Sequence, residues 1–273
     1  MPKYIIYILF FLVSYEINAL NPSKAYKHHP KDFEITYSEH DVQTKDGASI
    51  KLWYLNNHHH SDNLLIISHN GVGNMGDHLH RAKEFVEYGF NVVIYDYRGF
   101  GESSDFAIEN VEYVYAEFFE DFNAVFDYSY ENFYHKIYLY GWGIGAGISI
   151  SQGYPKEATI AIAADTPFIK YQDLHNKFVE IQSPMKVPMS KLRNYADPHT
   201  VLVQEPHEHF RGLLLMVAPN DFLFHVDEMK ALLERQPKIW SEFYLINNKT
   251  HHDNYHTDKK TYMRKVYSFL INS

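Results

Sequence analysis

The chain has 273 residues, 45% of them hydrophobic, 16% aromatic and 22% charged, with a formal net charge of −9. That is apolar material for one large core or two small ones, and too much for wholesale disorder. The acidic balance, with no Lys/Arg block, argues against a nucleic-acid partner, and the lack of cysteine excludes disulfides, thiolate metal sites and a cysteine nucleophile.

The N-terminus carries compartment information. Lys3 precedes an apolar run, Tyr4 to Val13, and a more polar stretch then ends in Asn18-Ala19. This is the order of regions in a secretory signal. The run is about half of the roughly 20 residues that a membrane-spanning helix needs. Residues 1–19 are expected to be a signal peptide or a signal anchor, with a buried N-terminal element as the alternative. The expected location is secreted, periplasmic or membrane-anchored, any membrane association running through this segment. Residues 20–32 are polar with Pro22 and Pro30 and read as a linker, leaving 33–273 as the domain. Asn248-Lys249-Thr250 fits a glycosylation sequon.

Within the domain, Ile35 to Val42 and Ile50 to Leu55 alternate as strands do, joined by a turn at Lys45-Asp46-Gly47. His58, His59 and His60 sit in a polar stretch read as an exposed loop, because adjacent side chains rarely converge on one metal ion. Short apolar runs at Leu64–Ser68, Val92–Tyr95, Lys136–Tyr140, Thr159–Ala163, Leu213–Val217 and Phe243–Ile246 read as further strands. Between and after them, His78–Tyr88, Tyr113–Tyr128, Ile144–Gln152, Val226–Arg235 and Lys259–Leu270 read as helices. Such alternation predicts an α/β fold with a mostly parallel central sheet and helices on both faces. The proline-bearing stretch from 167 to 210 breaks the rhythm. It reads as a small cap insertion over the carboxyl edge of the sheet, or as an irregular connection. Its Phe168, Tyr171, Phe178 and Met185 read either as pocket lining or as ordinary core contacts.

Five segments carry chemistry. Tyr140-Gly141-Trp142-Gly143-Ile144-Gly145-Ala146-Gly147 closes a strand, turns through alternating glycines and opens a helix. Glycine-rich turns of this kind also bind dinucleotides, but those need G-x-G-x-x-G early in the chain with an acid about 20 residues on. Here the run comes midway. Upstream, Ser68-His69-Asn70-Gly71 also follows a strand and precedes a helix. Asp96-Tyr97-Arg98-Gly99-Phe100-Gly101-Glu102-Ser103 forms a compact glycine turn in which Arg98 can tie the loop. Asp221 follows Leu213–Val217 in Ala218-Pro219-Asn220-Asp221, and His251-His252-Asp253 follows the last strand.

Taken together these segments resemble the α/β-hydrolase superfamily, closest to single-domain serine hydrolases acting on esters, thioesters or amides. Gly141 and Gly145 match the outer positions of its G-x-S-x-G elbow, with Gly143 in the nucleophile position. The resemblance implies an oxyanion site at Asn70, Gly71 and the N–H of Ile144, Asp221 as the triad acid and His251 as the base, in the superfamily's chain order. The Asn70-Gly71 pair is inverted relative to the usual His-Gly loop, and Ala218 stands where the acid's turn usually has glycine. The elbow run is also similar to that of the N-myc downstream-regulated proteins, which share the fold and are regarded as non-enzymatic.

Glycine supplies no nucleophile, so acyl transfer through position 143 is excluded. Three readings follow. The first is a ligand-binding or scaffolding pseudoenzyme of esterase-like or thioesterase-like ancestry. The second is an active hydrolase or lyase in which His251, oriented by Asp221, activates water or substrate directly. The third recruits a serine from outside the elbow, Ser68 or Ser149. The expected partner is a small-molecule or acyl ligand in the cleft, with no cofactor and no metal.

Overall fold

The computed structural model describes residues 19–57, 61–134, 136–221, 223–247 and 254–273. The leader, His58–His60, the sequon Asn248–Thr250, His251 and His252 lie outside the described residues. Two short strands, β1 (Asn21–Pro22) and β5 (Val72–Gly73), pair in parallel. The main sheet comprises β2 (Tyr37–Gln43), β3 (Ser49–Leu55), β4 (Asn63–Ser68), β6 (Asn91–Tyr95), β7 (Lys136–Trp142), β8 (Thr159–Asp165), β9 (Gly212–Val217) and β10 (Trp240–Leu245). Its order is β10-β9-β8-β7-β4-β6-β3-β2, parallel except where β3 meets β2 and β6.

Alternation along each strand explains why the sheet needs helices on both faces. On β4, Leu64 and Ile66 join one hydrophobic cluster while Leu65 and Ile67 join the other. Leu213, Leu215 and Val217 against Leu214 and Met216 do the same on β9. All of these side chains are buried, each contributing about 1.5–3 kcal/mol on transfer from water. Helix α1 (Leu79–Glu87) buries Leu79, Ala82 and Phe85 on one face of the sheet. Helix α2 (Glu117–Asn132) buries Phe118, Phe119 and Phe122 on the other. The elbow opens α3 (Ile144–Ile148), which continues as one π-helical stretch over Ser149–Gly153.

Between β8 and β9 lie α4 (Tyr171–Glu180), α5 (Met189–Leu192) and α6 (Pro198–Val201). Phe168, Tyr171, Phe178 and Met185 are buried in the same cluster as α2, so they are core contacts and not pocket lining. Helices α7 (Val226–Leu233), α8 (Asn254–Thr257) and α9 (Lys259–Asn272) complete the chain. Among the described residues no helix is long and apolar enough to cross a membrane.

Two expectations need correction. The stretch read as a linker is packed onto the domain. Leu20 is 0% exposed, the N–H groups of Asn21 and Ser23 donate to Gly71 and Gly73 carbonyls, and Pro30 is buried. Polar composition misled there because the segment is held by backbone hydrogen bonds at a sheet edge, where Pro22 needs no N–H. Helix α2 begins at Glu117, four residues later than its apolar pattern suggested. Tyr113 instead donates its N–H to Lys186, which holds that part of the chain extended against the 167–210 stretch.

Candidate functional site

The crossing pattern locates the site. From β4 the chain leaves through α1 to β6 on one side, and from β7 through α3 to β8 on the other. Loops that part in this way open a crevice at the carboxyl ends of the two strands. Asn70 follows β4 and Gly143 follows β7, and they face each other there.

Gly143 has φ 57° and ψ −125°, a left-handed conformation that costs glycine nothing and other residues of order 1–3 kcal/mol. Its N–H donates to the carbonyl of Asp165 at 2.9 Å. A Cβ at this position would lie 3.0 Å from the Asn70 Cβ. Gly145 is needed for contact, since a Cβ there would come within 2.1 Å of the Ser68 carbonyl oxygen. The first turn of α3 therefore rests directly on the end of β4, with the Ile144 N–H at its start, where helical N–H groups lack internal partners.

The loop after β4 is tightly bound. The Gly71 N–H donates to His69 Nδ1 at 3.1 Å, so it is engaged inside the loop and Asn70 is the residue that lines the crevice. That bond leaves the His69 proton on Nε2, 3.8 Å from Asp96 Oδ1. Burial, then the neighbouring His78, holds His69 well below the usual imidazole range. Asp96 accepts from Met75 N–H at 2.7 Å and Tyr26 Oη at 2.6 Å, and burial pushes its carboxyl up to about 7. Arg98 ties its loop as expected, donating to Asp121 and, through both terminal nitrogens, to Asp46.

The crevice at Gly143 has a volume of about 420 Å³. Its wall includes Asp165, Thr166, Arg81, Trp142 and Asn254, none of which stood out in the sequence. Asp165 ends β8, one strand over from the elbow. Its carboxylate accepts from Asn254 Nδ2 at 2.7 Å, Thr166 Oγ1 at 2.8 Å and Tyr262 Oη at 2.8 Å. Burial raises its pKa while these donors and Arg81 oppose the rise. Tyr262 spends its one proton on Asp165, so Tyr140, 2.9 Å away, donates to Tyr262, and Arg81 Nη1 donates to Tyr140 at 3.2 Å. A directed chain thus runs from a guanidinium through two tyrosines to a carboxylate. Its sequence signal is an arginine among the apolar positions of α1 and an acid at the end of a buried strand.

The remaining candidates fall elsewhere. Asp221 is 3% exposed, and its Oδ1 accepts the N–H groups of Leu223 and Phe224 at 2.9 and 2.8 Å, so its own turn holds that oxygen. It is not part of the crevice wall around Gly143. Ser68 is buried, with its hydroxyl 3.0 Å from that of Tyr95, and Ser149 is buried without a hydrogen-bond partner among the described residues; neither lines the crevice.

The family model for serine aminopeptidase, S33, matches residues 59–211, which include the glycine elbow and the loop after β4. The chain belongs to this serine aminopeptidase family. Solved structures share the family member's α/β-hydrolase fold. The Pyrococcus furiosus esterase Pf2001 is 19% identical with a TM-score of 0.71, covering 93% of this chain and 99% of its own. The α/β hydrolase GrgF from Penicillium is 16% identical with a TM-score of 0.64, covering 86% and 98%. Mouse α/β-hydrolase domain-containing protein 10 is 13% identical with a TM-score of 0.64, covering 86% and 99%. No curated protein sequence gives a significant match.

Proposed function

We propose that this chain is a serine-hydrolase-like protein that has given up acyl transfer and uses its inherited crevice to bind a small-molecule or acyl ligand. The observation that carries this reading is Gly143, at φ 57° and ψ −125° between β7 and α3. A nucleophile elbow holds its serine on such a strained strand-to-helix turn, and here the turn presents only hydrogen. Asn70 and the Ile144 N–H remain as polar groups for the ligand, and Asp221 and His251 remain as the inherited acid and base. The leader directs the protein to export or to membrane anchorage.

The test is hydrolysis of a panel of short-chain fluorogenic esters by wild type and Gly143→Ser, each with and without His251→Ala. The expected result is an inert wild type and a gain of His251-dependent activity in Gly143→Ser. The anchored Asp221 carboxylate favours a second reading, in which it orients His251 to activate water or a substrate proton directly. Turnover by wild type that His251→Ala abolishes would establish that reading and reject the first.

A further inference from the structure

Arg81 is an unusual wall for a crevice. It is 7% exposed, and its guanidinium lies between the rings of Trp142 and Tyr255, 4.0 and 4.3 Å from their centroids. Cation–π contacts hold the plane of the group but do not satisfy its N–H donors. A guanidinium has five such donors. Among the described residues only the Tyr140 hydroxyl accepts one, and the acid that influences Arg81, Asp165, does so without a hydrogen bond to it. In the wall, Asp165 already accepts from Asn254, Thr166 and Tyr262, and its hydrogen-bonded link to Arg81 runs through the two tyrosines. Among the described residues the other charged or titratable groups facing this space are Asp77, His78 and His256. Asp77 accepts the Asn74 N–H and lies 3.9 Å from Lys27. Burial, then Arg81 itself, holds His78 down to about 4, so its imidazole is neutral.

A buried cation is costly unless hydrogen-bonded acceptors surround it. With rings over it at 4.0 and 4.3 Å, Arg81 lines the crevice beside Gly143, and the edge of a guanidinium stacked in this way is where an acceptor can approach. A planar, two-oxygen anion fits that edge in the same plane. We propose that Arg81 anchors a carboxylate carried by the ligand, so that the crevice takes small carboxylic acids in preference to neutral amides or esters. The proposal rests on the Gly143 crevice being the ligand site, but it does not depend on whether turnover occurs.

The experiment is titration of the full-length protein with sodium butyrate, butyramide and inorganic phosphate at matched ionic strength, followed by calorimetry and by thermal shift. Butyrate should bind and stabilise wild type, and butyramide should do neither. Arg81→Gln should weaken butyrate at least about tenfold, and Arg81→Lys should fall between, keeping the charge but losing the fork. Equal binding of butyrate and butyramide, which wild type alone decides, overturns the proposal. So does unchanged butyrate binding in Arg81→Gln, or binding of phosphate without butyrate. An active wild type in the ester assay would reject the non-catalytic reading and leave this result standing.

Discussion

The N–H of Gly143 and the carbonyl of Asp165 meet at 2.9 Å, joining the apex of the elbow to the last residue of the neighbouring strand. The same aspartate sends its carboxylate to Asn254 and Tyr262, on the segment that follows His251 in the chain. One residue therefore links the turn at position 143 with the C-terminal helices, and the shape of the turn is held from outside as well as by its own glycines.

The first prediction concerns the backbone at that turn. Gly143→Ala puts a Cβ at φ 57° and 3.0 Å from the Asn70 Cβ. It should fold and lose about 1–3 kcal/mol, the usual cost of a left-handed non-glycine residue. Gly143→Ser should lose a similar amount. Denaturant titration of both checks this. A stability equal to wild type would mean that the turn relaxes and that 143 is not a strained position.

Leu20 should matter more than a linker residue can. It is fully buried, and its side chain packs over Gly71 beside Ile144. Leu20→Ala should cost about 2–5 kcal/mol, within the range for buried leucine truncation. A leucine in a free linker would cost nothing, so the denaturation midpoint separates the two accounts.

Asp96 should impose a pH dependence on stability. Burial raises its folded pKa from 3.8 to about 7. Between those values the folded protein keeps a proton that the unfolded chain has released. Unfolding therefore releases a proton there, and this carboxyl makes the fold progressively less stable as pH rises through the window. Its contribution levels off above 7. Asp96→Asn should remove that slope, while the amide oxygen of the variant still accepts from Tyr26 or Met75. Unfolding curves for both proteins at the two ends of the window measure it, and an unchanged slope would reject the assignment.

Much of the architecture was readable from local patterns. Short apolar runs became the parallel strands, because a strand buried on both faces has no polar side to show. The glycines at 141, 143 and 145 announced the elbow, and Asp96-x-Arg98-Gly99 announced a tied loop, because sharp turns need particular residues at fixed spacing. The linker misreading at 20–32 and the late start of α2 have a common cause. In both places backbone groups are satisfied by a partner far along the chain, and local composition carries no record of it.

Sequence alone determined that position 143 has no nucleophile, since that follows from the identity of one residue in a recognisable turn. Only the tertiary structure decided what surrounds it. Arg81, Tyr140, Tyr262 and Asp165 form one hydrogen-bonded chain although Tyr140 and Tyr262 lie 122 positions apart. Strand order brings Tyr140 on β7 beside β8, and the packing of α1 and α9 on the sheet brings the other two side chains, Arg81 and Tyr262, into the chain that ends at Asp165. Periodicity reports which face of an element is buried, but the partner a polar side chain meets on that face is set by how separate elements pack.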